Sequence, residues 1–141
     1  MTIQLKRVQK TPIIVLDANA FFVPAQFGID IFDELQKLLN RTFHAVVLSS
    51  TLDELERIAD KGPSEMKRRA RYALKLAHKC RPLKVSVNTE APMDDIIIDA
   101  ASKQKCAVFT NDRQLRNRLR DINVPVIYVR QKSRLEIDGR L

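Results

Sequence analysis

Short apolar runs alternate along this chain with longer stretches in which apolar residues recur every three or four positions. The short runs are β-branched and apolar on both faces, which is typical of strands buried in a parallel sheet. The longer stretches have the period of helices that bury one face. The predicted strands are residues 12–16, 45–48, 83–87, 106–109 and 124–129.

Helices are predicted in the intervals between these strands. One follows the possible caps Ser49 to Thr51 and ends at Gly62-Pro63, and the others cover residues 27–39, 64–79, 93–104 and 111–121. The alternation predicts an α/β fold: a single-domain α/β/α sandwich with a central, mainly parallel five-stranded sheet. We expect one domain over residues 1–141, with a core at about 12–130 and a basic tail at 130–141.

Four acidic residues stand where a predicted strand gives way to a helix. In a parallel sheet such junctions lie along one edge, where these folds bind ligands. Carboxylates gathered there repel one another, and hard divalent cations such as Mg²⁺ and Mn²⁺ prefer oxygen ligands. The pattern predicts a Mg²⁺ or Mn²⁺ site that could support phosphodiester hydrolysis. The four candidate ligands are Asp17, Glu54, Asp94 and Asp112.

Each of these acids also has a structural interpretation. Asp17 could cap a turn, and Asp112 could simply begin a helix. Acids are common in the first turn of a helix, so Glu54 competes with Asp53 and Glu56 for the same role. Asp94 competes in the same way with Asp95. The residues alone do not decide which acid of either helix is the ligand.

The composition narrows the function further. A net charge of +8 and a pI near 9.8 favour polyanionic partners, nucleic acid first. Two cysteines and two histidines without metal-binding spacing make a zinc site improbable, and three scattered glycines cannot build a phosphate-cradling loop. The first residues lack the apolar segment of a signal peptide, and no apolar run approaches a membrane span. We therefore expect a cytoplasmic protein with no membrane partner.

Basic residues cluster on two predicted helices. Arg113 and Arg116 follow a proposed metal ligand, so they are candidates for holding RNA phosphates. The helix that begins at Ser64 offers further candidates, although a solvated face with pairs such as Glu65–Arg69 explains its charge equally well. Those candidates are Lys67, Arg68 and Arg71. Three aromatic residues could stack on bases, although core positions are the more common outcome: Phe21, Phe22 and Tyr72.

The acidic positions and their neighbours resemble the pattern of PIN-domain nucleases over roughly residues 12–130. The matching segments are Leu16-Asp17-Ala18-Asn19, Asp53-Glu54-Leu55, Asp94 through Ile97 to Ala101, and Thr110-Asn111-Asp112. The resemblance implies a metal-dependent endoribonuclease that leaves 5′-phosphate and 3′-hydroxyl ends. It also implies that Asp94 rather than Asp95 is the ligand. Asn19 and Thr110 match positions that often support the carboxylates in that family.

Two further segments, residues 24–32 and 124–129, look like an archaeal group of the family. That group is similar to eukaryotic nucleases that process small-subunit ribosomal RNA, and is less like VapC-type toxins. The resemblance implies a structured rRNA precursor as substrate, frequent homodimers and a ribosome-assembly protein as partner. Asp95 and Asp99 depart from many toxins, which have small apolar residues there. A non-catalytic RNA-binding scaffold and a toxin-type ribonuclease stay open as alternatives.

Overall fold

The computed structural model describes residues 11–85 and 90–141. Their strands form one sheet with a largely parallel arrangement, which confirms the predicted α/β fold. The strands are β1 (Ile13–Leu16), β2 (His44–Leu48), β3 (Arg81–Leu83), β4 (Ala107–Phe109), β5 (Val126–Arg130) and β6 (Arg134–Asp138). The sheet order is β3-β2-β1-β4-β5-β6, and only the β5–β6 pair is antiparallel.

Six α-helices lie in the described part of the chain, and a 3₁₀ turn, Ala18–Phe22, follows β1. The predicted helix at residues 27–39 begins only at Ile31, because Gly28 adopts a left-handed φ of 69° and ends the helix before it. Asp30 then caps the next helix by accepting a hydrogen bond from the Asp33 amide. The helices are α1 (Val23–Phe27), α2 (Ile31–Leu39), α3 (Ser49–Lys61), α4 (Ser64–Ala77), α5 (Met93–Lys103) and α6 (Arg113–Asp121).

Alternate residues of the strands belong to two apolar layers, one on each face of the sheet. Ile14 and Leu16 of β1 face the layer that includes Leu35 of α2, whereas Val15 faces the layer that includes Ile97 of α5 and Leu115 of α6. Helices therefore cover both faces of the sheet, as the two-sided apolar strands predict. In the segments that the structure describes, no helix is both long and apolar enough to cross a bilayer.

Two predictions at the margins of the sheet need correction. The basic tail is not an extension outside the core, because β6 adds a sixth strand to the five that were predicted, closes a hairpin with β5 and buries Leu135 between charged neighbours. The third strand is Arg81–Leu83 rather than residues 83–87, and residues 86 and 87 lie outside the described residues. β3 is an edge strand with Arg81 and Pro82 exposed, so it lacks the apolar signature of a buried strand.

Candidate active site

Asp17 lies at the middle of the carboxyl edge of the sheet, because it follows the central strand β1. Its side chain is buried, with 7% of the residue exposed, and its backbone amide donates to the Phe109 carbonyl of β4 at 3.0 Å. The carboxylate accepts three hydrogen bonds. Oδ1 accepts from the Ala18 amide at 2.8 Å, and Oδ2 accepts from Asn19 Nδ2 at 3.0 Å and from Thr110 Oγ1 at 2.8 Å. The orientation of this carboxylate is therefore fixed by its neighbours.

The Asn19 and Thr110 side chains link β1 to the segment that leaves β4. Asn19 Oδ1 accepts from the Asn111 amide at 2.9 Å, and the fully buried Thr110 Oγ1 accepts from the Asp112 amide at 3.1 Å. Asn111 Oδ1 in turn accepts from the Val129 amide of β5 at 2.8 Å. Sequence reasoning missed this role of Asn111, because nothing near it in sequence signals a bond to a strand 18 residues later.

Asp112 caps a helix, which is the structural role predicted from the sequence as its alternative. Its Oδ1 accepts from the Gln114 amide at 2.9 Å and from the Leu115 amide at 3.2 Å, at the beginning of α6. Capping does not remove its negative charge from the edge of the sheet, since that charge acts on two other carboxylates, Asp17 and Asp94. The cap therefore holds Asp112 in place at the same edge.

Three aspartates are brought together at this edge. Burial raises the pKa of Asp17 above its usual range, and the charges of Asp94 and Asp112 raise it further, against the hydrogen bonds from Thr110 and Ala18. Burial and the charge of Asp112 also raise the pKa of Asp94, while Arg118 lowers it. The charges of Asp17, Asp94 and Asp112 thus act on one another at this edge of the sheet.

Asp94 and Asp95 have different surroundings although they are adjacent on α5. Asp94 is partly buried beside Asp112, whereas Asp95 is exposed and pairs with Arg118 of α6 at 2.8 Å. Asp99, one turn further along, pairs with Lys103 at 3.0 Å. The two additional acids of this helix are thus each matched by a cation, and Asp94 is the one that faces the other carboxylates.

Glu54 lies apart from the three aspartates in its interactions. It forms an ion pair with Arg57 on the same helix, and its side chain is 28% exposed. The other two acids that compete for its role, Asp53 and Glu56, are exposed. Because α3 packs against α5, the partly buried Glu54 is the best-placed carboxylate of α3 for the site, although its charge is paired with Arg57.

The donor chemistry at this edge suits a hard divalent cation. Within residues 11–85 and 90–141, no three His, Cys, Asp or Glu side chains already stand close enough together to hold a metal ion. The aspartates offer only oxygen donors, and a cation would relieve the repulsion that adds to the effect of burial on the pKa values of Asp17 and Asp94. Burial raises the pKa of the Cys80 thiol to about 12 and that of Cys106 to about 11, so neither supplies a thiolate at neutral pH.

The predicted RNA-binding residues fall into two groups. On α6, Arg113 is exposed, while Arg116 is partly buried with its guanidinium carbon 3.9 Å from the centroid of the Tyr128 ring. On α4, Arg68 and Arg71 are exposed and Lys67 is partly buried. The predicted Glu65–Arg69 pair forms at 3.0 Å. Among the proposed stacking residues, Phe21 is fully buried in the core, Phe22 packs partly against it, and Tyr72 is 46% exposed.

The raised pKa of Asp17 predicts how its substitution changes stability with pH. In metal-free protein, a buried carboxyl with a raised pKa binds its proton more tightly when folded. Its stabilising contribution is complete below the ordinary value of 3.8 and is lost as the pH rises through the higher folded value. Asp17→Asn should therefore gain stability relative to the wild type as the pH rises above about 4.

Urea unfolding in EDTA at a series of pH values would measure this difference. Asp53→Asn, at an exposed position of α3, is the matched control for removing one carboxylate. A difference between Asp17→Asn and the wild type that is constant from acid to neutral pH would contradict the prediction.

The fold and the three converging aspartates define a PIN-like α/β domain. The chain belongs to this family, since the family model described as a PIN like domain matches residues 14–132. Ribonuclease VapC4 of Methanocaldococcus jannaschii is 33% identical over 127 residues, which cover 89% of this chain and 96% of that relative. Ribonuclease VapC9 of Archaeoglobus fulgidus is 27% identical over 132 residues, covering 94% and 93%.

Solved structures agree with this assignment. The PIN domain endonuclease Utp24 superposes with a TM-score of 0.77 at 25% identity, and the match covers 92% of each chain. A domain of a functionally unknown protein from Methanocaldococcus jannaschii matches with a TM-score of 0.62 at 13% identity, which shows the fold alone. The named relatives are ribonucleases and an endonuclease, and they support an RNA-hydrolysing enzyme of the PIN-domain type.

Proposed function

We propose that this chain is a Mg²⁺- or Mn²⁺-dependent endoribonuclease whose site is built on Asp17, Asp94 and Asp112. The observation that carries the proposal is the electrostatic convergence of these three aspartates at the carboxyl edge of the sheet. A buried carboxylate destabilises a fold unless its charge is compensated, and such groups persist where they serve a function. A bound cation is the simplest compensation for three of them.

Each residue has a separate role in this proposal. Asp17, Asp94 and Asp112 would hold the cation, with Glu54 as a fourth carboxylate at the margin of the site. A divalent cation in such a site supplies Lewis acidity and a more acidic water. Thr110 and Asn19 fix the rotamer of Asp17 by donating to its Oδ2. Arg113 and Arg116 would hold substrate phosphates beside the carboxylates, because they lie in the first turns of the helix that Asp112 caps.

A small-subunit rRNA precursor is the substrate that we propose. The resemblance of residues 24–32 and 124–129 to the archaeal processing group supports a processing role, and the likeness to the endonuclease Utp24 over nearly the whole chain supports cleavage within the RNA strand. We further propose that the protein acts in the cytoplasm, as a homodimer or with a ribosome-assembly partner. The two free, buried cysteines suit a reducing compartment.

A toxin-type ribonuclease is the second candidate. It is favoured by the two relatives named VapC, of which one is 33% identical. The carboxylate site would be the same, so the substrate and the biological effect distinguish the two. A non-catalytic scaffold is the least favoured alternative, because RNA binding alone does not need Asp17 to be buried and held by three hydrogen bonds.

The proposed function is tested with a labelled rRNA precursor fragment that spans a small-subunit processing region. A scrambled RNA of the same length and composition is the control substrate. We expect one main cut in the native fragment with Mn²⁺ or Mg²⁺, none in EDTA, and products with 5′-phosphate and 3′-hydroxyl ends. Equal cutting of both RNAs, with growth arrest on expression that a neighbouring gene product relieves, would favour the toxin. Salt-sensitive binding without any cutting would favour the scaffold.

A further inference from the structure

A cleft of about 470 Å³ opens at the edge of the sheet opposite the aspartates. It lies where two neighbouring strands begin, since His44 is the first residue of β2 and Arg81 is the first residue of β3. Its volume is within the usual range of small-ligand sites. The lining combines two aromatic rings with three side chains that carry or can carry positive charge: Phe32, Phe43, His44, Lys79 and Arg81.

The described residues offer the positive charge of this cleft no acidic partner. Among the described residues, neither Lys79 nor Arg81 makes an ion pair, and the Lys79 ammonium nitrogen lies 6.0 Å from the centroid of the Phe32 ring. Other arginines of the surface are neutralised by carboxylates: Arg57, Arg69, Arg118, Arg120, Arg130 and Arg134. An anion that entered the cleft could therefore pair with Lys79 and Arg81 without displacing a carboxylate.

A stripe of basic residues leads along α4 to the cleft. Arg68, Arg71, Lys75 and Lys79 follow one another at spacings of three or four and are all exposed, so they share one side of the helix and its exit. Among the described residues none of them is in an ion pair. We call these four residues the α4 stripe. Tyr72, 46% exposed, lies beside it.

The stripe and the cleft are continuous. Tyr72 lines a second hollow of about 290 Å³ that shares Phe32 and Lys79 with the cleft. One acid, Asp30, also lines that hollow, but its side chain is engaged in capping α2. α4 also packs against the 3₁₀ turn that follows Asp17. The aromatic and basic side chains thus form one surface along α4 and the cleft at its exit.

We propose that the cleft and the α4 stripe form a second site for single-stranded RNA, which anchors the substrate away from the bond to be cut. Phe32 or Phe43 would stack on a base, and Lys79 and Arg81 would bind the flanking phosphates. Rings alternating with unpaired cations are typical of surfaces that hold single strands, because every base offers an aromatic face and every nucleotide carries a phosphate. This inference rests on the proposed ribonuclease function, since RNA is the substrate that the anchor would hold.

The anchor is distant enough from the aspartates to be tested separately. β2 has five residues from His44 to Leu48, so the two edges of the sheet are roughly 13 Å apart at a rise of about 3.3 Å per residue. A short RNA can therefore occupy the aspartate edge without reaching the cleft, whereas a longer strand can contact both. Loss of the anchor should weaken the binding of long RNA and leave the chemistry unchanged.

The test compares Lys79→Gln/Arg81→Gln with Lys105→Gln/Lys132→Gln in the full chain. The control pair removes two positive charges at other exposed positions. Fluorescence anisotropy in EDTA measures binding of single-stranded RNAs of about 2 and about 12 nucleotides at several salt concentrations. For the longer RNA, we expect the cleft variant to lose about tenfold in affinity and about 1.4 units of the logarithmic salt slope, and the control to lose little of either.

A second variant tests stacking independently of charge. Phe32→Leu keeps an apolar side chain against the core but removes the aromatic face, so it should weaken long-RNA binding about tenfold without changing the salt slope. A thermal melt checks that this variant is folded. Equal affinities and slopes for the cleft and control pairs would overturn the second site. Tighter binding of polyglutamate than of the longer RNA at equal salt, lost in the cleft variant, would also overturn it, in favour of an acidic-peptide site.

Failure of this inference can be told apart from failure of the proposed function. Binding in EDTA does not require cleavage, so the salt-slope comparison stands whether or not the protein is active. If Asp17→Asn abolishes cutting while the cleft variant and the control variant bind RNA with equal affinity, only the proposal of the second site is wrong. If Asp17→Asn leaves cutting intact and only the cleft variant loses affinity, the carboxylate mechanism is wrong and the second site holds.

Discussion

Asp94→Asn is expected to slow RNA cleavage by about a thousandfold or more, whereas Asp95→Asn should change the rate by less than about threefold. The two residues are adjacent on α5, and each substitution removes one negative charge. A difference between the two cleavage rates therefore reports the position of the carboxylate. Asp94 is partly buried next to Asp112, and a metal held there would lose a ligand. Asp95 faces outward and pairs with Arg118, which is a surface ion pair of small energetic weight.

The measurement is single-turnover cleavage with enzyme in excess and saturating Mn²⁺. Asp17→Asn and Asp112→Asn should match Asp94→Asn, because they remove other ligands of the same proposed site. RNA affinity in EDTA should stay the same or rise slightly in all of these variants, since each removes a negative charge from a surface that binds a polyanion. A large loss of rate in Asp95→Asn with normal rates in Asp94→Asn would reassign the ligand.

Glu54→Gln tests a carboxylate of α3 that lies beside the three aspartates. Its carboxylate is paired with Arg57 and is not among the charges that perturb Asp17 or Asp94. The structure therefore places three of the four predicted acids in one electrostatic group and leaves the fourth beside it. A sequence cannot show this difference, because the position of Glu54 in the first turns of a helix is equally consistent with both arrangements.

The carboxylate edge of the fold was predictable because its signals are local. An acid that directly follows an apolar strand is placed by the strand itself, which is why the pattern of the chain suffices to locate Asp17 and Asp112. The hydrogen bonds that fix Asp17 were not predictable from spacing, since Thr110 lies 93 residues away along the chain and meets Asp17 only because β1 and β4 are neighbours.

The margins of the sheet were harder to predict for a physical reason. Edge strands bury little, so β3 and β6 carry polar and charged residues that resemble a loop or a tail. β6 is held by its pairing with β5 and by Leu135 in the core, and both depend on the hairpin rather than on local propensity. The same limit applies to the cleft at the far edge, since its lining comes from three separate segments of the chain.

Metal binding is the second large expected effect, and it is measurable without RNA. Burial and the charges of neighbouring aspartates raise the pKa values of Asp17 and Asp94, so these carboxylates destabilise the metal-free fold when ionised, and a cation that binds only the folded state should stabilise it strongly. At a Mn²⁺ concentration of about one hundred times the dissociation constant, the gain is about 2.7 kcal/mol. For a domain of this size that corresponds to a rise of about 10 °C in the thermal midpoint.

The variants separate metal binding from general effects of salt. Asp17→Asn should gain little from Mn²⁺, because it removes one ligand of the proposed site. Asp53→Asn, with its exposed position on α3, should keep the full gain. The same titration followed by cleavage should show activity appearing over the concentration range that raises the midpoint. Equal Mn²⁺ responses in Asp17→Asn and Asp53→Asn would mean that the ion binds elsewhere, and cleavage that persists in EDTA would remove the metal from the mechanism.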